Sequence, residues 1–167
     1  TTKTSGMFLY AVADYFWGNL PTLLKSIRAR DLKSSIEDAS RYRGLGLGYT
    51  PSGDDFLTGL LIGANFAAAS EGDKDFVRRF SAELLQEPWL ENELVGKFRR
   101  DSVDGRPNLL LYDVCSSIAG GTMGAKLEDT IRNALRCGNT SGWDTVLGLL
   151  SGLFLQGLCG ALAHWAA

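Results

Sequence analysis

Apolar residues recur along this chain with a helical period. Phe8, Leu9, Val12 and Phe16 fall at i, i+1, i+4 and i+8, predicting a helix over Ser5–Trp17 with Gly18 as its stop. Pro21 then opens a short helix to about Arg28. Asp31 caps Leu32–Tyr42, which ends at Gly44. An apolar helix runs from Asp54 to about Ser70 and is closed by Gly72. Asp73 opens the next, with Phe76, Val77, Phe80 and Leu84 on one face and Pro88 as the breaker. Trp89 to about Arg100 continues as a further helix, and residues 101–107 read as a polar connection. Asn108–Ile118 and Met123–Arg136 flank the Gly120-Gly121 turn, and a long last helix starts near Trp143. No alternation at period two stands out, and the one Asp-Gly, at 104–105, has no strands to join. The pattern predicts a single all-α domain over residues 1–167, with about nine helices around two central glycine-rich apolar ones.

Those two helices carry an internal repeat. Thr50–Gly63 aligns without gaps to Asn139–Gly152, 89 residues later, sharing Ser-Gly-x-Asp-x-x-x-Gly-Leu-Leu-x-Gly. Ser52 and Asp55, like Ser141 and Asp144, have the spacing of a capping box. Gly59 and Gly63, like Gly148 and Gly152, are four residues apart and line one helix face. A glycine inside a helix costs ~1 kcal/mol relative to alanine, a cost that close backbone approach can offset. The repeat therefore predicts two helices packed together at the centre, related by a pseudo-twofold axis.

Capping leaves some residues unexplained. Asp54 is not needed for it, and Gly44-Leu45-Gly46-Leu47-Gly48-Tyr49-Thr50-Pro51 is a glycine-rich entry to a helix N-terminus. Such loops present backbone amides to anions. The carboxylates point instead to a divalent cation, with Asp54 and Asp55 as its ligands, or to a ligand bearing hydroxyl or amide groups. If both repeats start at the same end, Ser52, Asp54, Asp55, Thr140, Ser141 and Asp144 converge. Asp54, Asp55 and Asp144 are the candidate catalytic groups. Gly46, Gly48, Thr50, Ser52, Gly53, Asn139, Thr140, Ser141 and Gly142 are the candidate ligand-binding residues, and Tyr42 and Tyr49 flank the loop as possible pocket walls. The plainer alternative is a pair of helix caps with no ligand.

Composition narrows the field. A net charge of −2 gives no basic footprint for nucleic acid or an anionic membrane. The single histidine, His164, excludes a three-histidine zinc site within one chain. Cys115, Cys137 and Cys159 are odd in number and show no Cys-x-x-Cys, which argues for a reducing, cytoplasmic setting. Cys115 and Cys159 fall in apolar helices and are expected to be buried and inert. Thr145–Ala167 holds 23 residues without Asp, Glu, Lys or Arg, long enough to cross a bilayer. Gln156, His164 and the lack of a flanking basic cluster favour a buried central helix and no membrane.

The string Gly44–Gly59 followed by Asn139–Gly148 resembles a bacterial family named for the AllH subunit of oxamate carbamoyltransferase, from anaerobic allantoin breakdown. The resemblance extends over essentially the whole chain and corresponds to the C-terminal two-thirds of the family, implying a domain of a longer protein. Where the family has Gly-His before Thr-Ser-Gly, this chain has Gly138-Asn139. What the resemblance implies is carbamoyl transfer between oxalurate and phosphate, giving oxamate and carbamoyl phosphate. It also implies partner subunits, with a homo-oligomer as a further arrangement, and a small anionic or amide-bearing ligand. Arg41, Arg43 and Arg136 are the cations nearest the motifs in sequence. Two other classes stay open. One is a non-catalytic scaffold, in which the repeat serves packing alone. The other is a metal-dependent hydrolase in the manner of the all-α ADP-ribosyl hydrolases, for which Trp143 stands where the repeat would place a further carboxylate.

Overall fold

A computed structural model describes residues 2–47, 50–86, 100–102, 107–136, 138 and 140–155. Its seven fully described helices are α1 (Thr2–Arg28), α2 (Leu32–Ser40), α3 (Ser52–Ala67), α4 (Glu71–Gln86), α5 (Leu109–Ala119), α6 (Ala125–Leu135) and α7 (Ser141–Leu155). No strand occurs among the described residues.

Local chemistry explains most of the boundaries. Asp31 caps α2 by accepting from the Ser34 amide at 3.1 Å, and Asn108 caps α5 by accepting from Leu111 at 3.0 Å. Ser70 and Asp73 form a reciprocal capping box on α4. The Ser70 hydroxyl accepts from the Asp73 amide at 3.1 Å, and the Asp73 carboxylate accepts from the Ser70 amide at 3.3 Å. That carboxylate also receives Arg30 and the Ser70 hydroxyl, and these bonds hold its pKa below the usual value. Gly121 and Gly124, with φ of 66° and 67°, make the turn between α5 and α6.

Three expectations change. The first two predicted helices are one, because Gly18 keeps a helical φ and Pro21 sits inside α1. The usual glycine stop turns left-handed just past the helix, and Gly18 does not. The Asn19 side-chain amide donates to the Tyr15 carbonyl at 2.7 Å, four residues back, in the turn before Pro21. Asp101 and Ser102 are helical rather than part of a polar connection. The third change concerns α3, which begins at Ser52 with Pro51 as its N-cap. The predicted helix Trp89–Arg100, apart from Arg100, and the tail after Leu155 lie outside the described residues.

The centre of the molecule is the pair α3 and α7. A Cβ added at Gly59 would stand 1.9 Å from the Thr145 carbonyl oxygen, and one at Gly148 would stand 1.9 Å from that of Phe56. At Gly63 and Gly152 the corresponding distances are 2.2 Å to Leu149 and 2.4 Å to Leu60. Thr145 is the repeat counterpart of Phe56 and Leu149 that of Leu60, so the contacts are exchanged between the two helices. Their order along both helices makes α3 and α7 parallel, starting at the same end. On one side the pair is covered by α1, α2 and α4 through Phe16, Leu23, Ile27, Phe76, Phe80 and Leu84. On the other it is covered by α5 and α6 through Leu111, Val114, Cys115 and Ala134. Among the described residues no helix is long and apolar enough to cross a membrane.

This packing separates two alanine substitutions of the same kind. Gly59→Ala forces a methyl into backbone and should cost at least ~3 kcal/mol in urea unfolding. Gly18→Ala meets nothing within 4 Å and should stabilise α1 by about 0.5–1 kcal/mol. Equal effects of the two would refute the close approach.

Candidate functional site

The glycine-rich segment folds back over the first turn of α3. After α2 the chain turns at Tyr42, whose ring is buried between Phe16 and Phe56 at centroid distances of 4.9 and 5.1 Å. Its hydroxyl donates to the Phe16 carbonyl at 2.9 Å, and burial pushes its pKa up, so it stays a neutral donor. Tyr42 is thus core beneath the loop rather than a pocket wall. Gly44 and Gly46 adopt φ of 63° and 107°, conformations that cost a residue with a Cβ. Gly53 then passes so close to the Tyr42 carbonyl that a Cβ there would stand 1.8 Å from its oxygen.

This fold-back uses the backbone donors that an anion would need. The Gly53 amide donates to the Leu45 carbonyl at 2.9 Å. The amides of Asp54 and Asp55 reach the Pro51 carbonyl at 3.0 and 3.1 Å. The Gly44 amide is held by Asp54 Oδ1 at 3.3 Å. Asp54 is 3% exposed. Its carboxylate therefore anchors the loop to the helix start.

Asp55 and Asp144 behave differently. Pro51 occupies the N-cap of α3 and no side chain caps it, so Ser52 is released from the capping box predicted with Asp55. The aspartates instead cross between the repeats. The Thr50 hydroxyl donates to Asp55 Oδ2 at 2.9 Å and lies 2.9 Å from the Ser141 hydroxyl, which also hydrogen-bonds Asp55. Asp144, in the first turn of α7, lies against the hydroxyls of Ser52 and Thr140. Each repeat's aspartate thus takes the other repeat's serine.

The electrostatics follow from burial. Desolvation raises the Asp55 carboxyl to about 6, against the lowering effect of Ser141 and Thr50, and Asp144 and Asp54 add repulsion. Asp144 is raised for the same first reason, opposed by Ser52 and Thr140. One atom is left over: Asp144 Oδ2 is buried and has no hydrogen-bond partner among the described residues.

The structure brings Thr50, Ser52, Asp55, Thr140, Ser141 and Asp144 to one end of the α3–α7 pair. Gly46 lies against Ser52, with a built Cβ 3.1 Å from the serine Cβ, and Gly142 is buried in the first turn of α7. Gly53 and Asp54 form the loop anchor beside this cluster. Gly48, Tyr49 and Asn139 lie outside the described residues. Trp143, the repeat counterpart of Asp54, is 62% exposed. Among the described residues no three His, Cys, Asp or Glu side chains converge as metal ligands. Sequence reasoning missed the exchange of partners between repeats, and proline directly before Ser52 was the available clue.

An all-α chain centred on a parallel helix pair, with two carboxylates and four hydroxyls at the shared N-terminal end, is the class of protein that fold and site define. A family model described as oxamate carbamoyltransferase subunit AllH matches residues 43–153. The chain belongs to that family. No curated protein and no solved structure matches it. The match begins at the loop over α3 and ends within α7, so it contains both halves of the cluster.

Burial of Asp55 has a pH consequence. Its carboxyl titrates at about 6 in the fold and at 3.8 when exposed, so the folded state keeps a proton that the unfolded chain has lost. Its contribution to stability is fully present below about pH 4 and is lost as pH rises through about 6. Asp55→Asn should match the unsubstituted chain near pH 4 and exceed it above pH 7 by on the order of 1 kcal/mol, less than the full shift because solvent reaches the group. Thermal melts of both proteins across this range test it, and parallel profiles would contradict a desolvated charge.

Proposed function

We propose that the chain acts as the subunit of a carbamoyl-transferring enzyme that recognises the amide end of its ligand, a carbamoyl or ureido group as in carbamoyl phosphate or oxalurate. Nitrogen recovery from allantoin or related purine products is the setting this chemistry fits. The observation that carries the reading is Asp144 Oδ2, a buried acceptor without a donor in a cluster otherwise rich in hydroxyls. An –NH2 group supplies the missing donor. An ionised carboxylate accepts on both oxygens and more strongly than a protonated one, so one –NH2 donating toward the Asp144–Asp55 pair would favour the charged forms that burial disfavours. Thr50, Ser52, Thr140 and Ser141 can orient the carbonyl side of the same group.

The arginines support a subunit role. Arg41 bonds Asn19 at 3.0 Å and pairs with Asp38 at 3.3 Å. Arg43 donates to the Leu84 carbonyl at 2.9 Å. Both are turned to the scaffold, so on this reading a phosphate or oxalyl group is clamped by the exposed Arg136, just past α6, together with cations of partner subunits. The test is turnover of the assembled enzyme with oxalurate and phosphate. Asp55→Asn combined with Asp144→Asn should lower it by about 100-fold or more while melting and subunit assembly persist. Unchanged turnover overturns the proposal.

The exchange of serines between repeats favours one other reading, a scaffold in which the cluster only knits α3 to α7. A melting screen separates the two. Phosphate, oxamate, carbamoyl phosphate, Mg²⁺ and Mn²⁺ are each added to the assembled enzyme, where a ligand at 100 times its Kd adds ~2.7 kcal/mol. A response to carbamoyl phosphate that the double variant loses supports the ligand site. No response to any of them, with turnover unchanged in the variant, leaves the scaffold.

A further inference from the structure

The near half of α1 has apolar positions that the described residues leave exposed. Leu9, Ala13, Phe16, Leu20, Leu23 and Ile27 follow alternating spacings of four and three, the pattern of a helix-packing seam. From Phe16 onward this seam enters the core: Phe16, Leu23 and Ile27 are buried and Leu20 packs against them. Before Phe16 its described positions are exposed. Leu9 is 55% exposed and Ala13 is exposed, and beside them Tyr10 is 82% and Trp17 55% exposed. Phe16 packs edge-on against Phe56 at the start of α3, while Arg30, just past α1, pairs with Asp73 in the first turn of α4.

We propose that this half of α1 packs against the same half of α1 in a second copy of the chain, about a twofold axis. Three observations select that occupant. The seam continues an interface that the chain already uses, so a helix is the shape it fits. Asp14 is the only charge from Leu9 to Leu24, so the strip needs no complementary charge and can face itself. Leu9, Tyr10 and Trp17 expose on the order of 400–500 Å² per copy, so two copies would bury about 1,000 Å², enough for a specific but weak interface. The contact is independent of the ligand reading above.

Sedimentation velocity on the 167-residue chain from about 1 to 100 µM tests this, the range in which such an interface should populate. A monomer–dimer equilibrium is expected. Ala13→Glu, on the exposed seam, should weaken it by at least ~10-fold, whereas Ala11→Glu, exposed on the other side of α1, should leave it unchanged. Helical circular dichroism and melting of both variants report that the domain stays folded. A monomer throughout the range overturns the proposal, as does a dimer indifferent to Ala13→Glu or equally weakened by Ala11→Glu. Protection of Leu9–Trp17 from hydrogen exchange only when other subunits of the enzyme are added also overturns it, and assigns the strip to them.

Discussion

Helices normally keep their axes 8–10 Å apart because side chains fill the space between them. Where both present glycine, the backbones themselves can touch, and in α3 and α7 each glycine lies against a carbonyl of the other helix. That contact sets the positions of the remaining elements. It gives two flat sides for α1, α2 and α4 to cover on one hand and α5 and α6 on the other. It also fixes the register that brings Thr50 within 2.9 Å of Ser141. A helix pair held further apart would leave each aspartate to cap its own helix, and no shared cluster would form.

The aspartates show how neighbouring residues of one type divide their roles. Asp54 and Asp55 are adjacent, yet a helix turns about 100° between them. One carboxylate is directed to the Gly44 amide and the other to Thr50 and Ser141. Asp54 stays with its loop because Gly53 admits the Tyr42 carbonyl where any side chain would exclude it. In the second repeat Trp143 replaces Asp54 and is largely exposed, so the halves match in their glycines and serines but differ in their anchors.

Much of the fold was legible because its signals are local. The helical period, the caps at Asp31 and Asn108 and the Gly120-Gly121 turn each depend on a few consecutive residues. The glycine repeat was legible for the same reason. What could not be read depended on geometry between distant segments. Gly18 and Pro21 looked like a break, and only their backbone conformation reveals a continuous α1. Ser52 and Asp55 had capping-box spacing, but Ser70 and Asp73 form the box, because proline precedes Ser52 and Ser141 lies across from Asp55. The repeat pointed to residues that meet at this end; which carboxylate anchors the loop and which lies among the hydroxyls was not legible.

Parallel packing of α3 and α7 has an electrical consequence. Each helix carries the equivalent of roughly half a positive charge at its N-terminus, and here both such ends lie side by side. Asp54, Asp55 and Asp144 all fall within these first turns. Their negative charge cancels a repulsion that antiparallel neighbours would never meet. Loss of one charge as Asp55 takes up its proton near pH 6 moves the local balance by a full unit, twice the contribution of either helix. The same end of the molecule therefore presents a markedly less negative potential in mild acid than at neutrality.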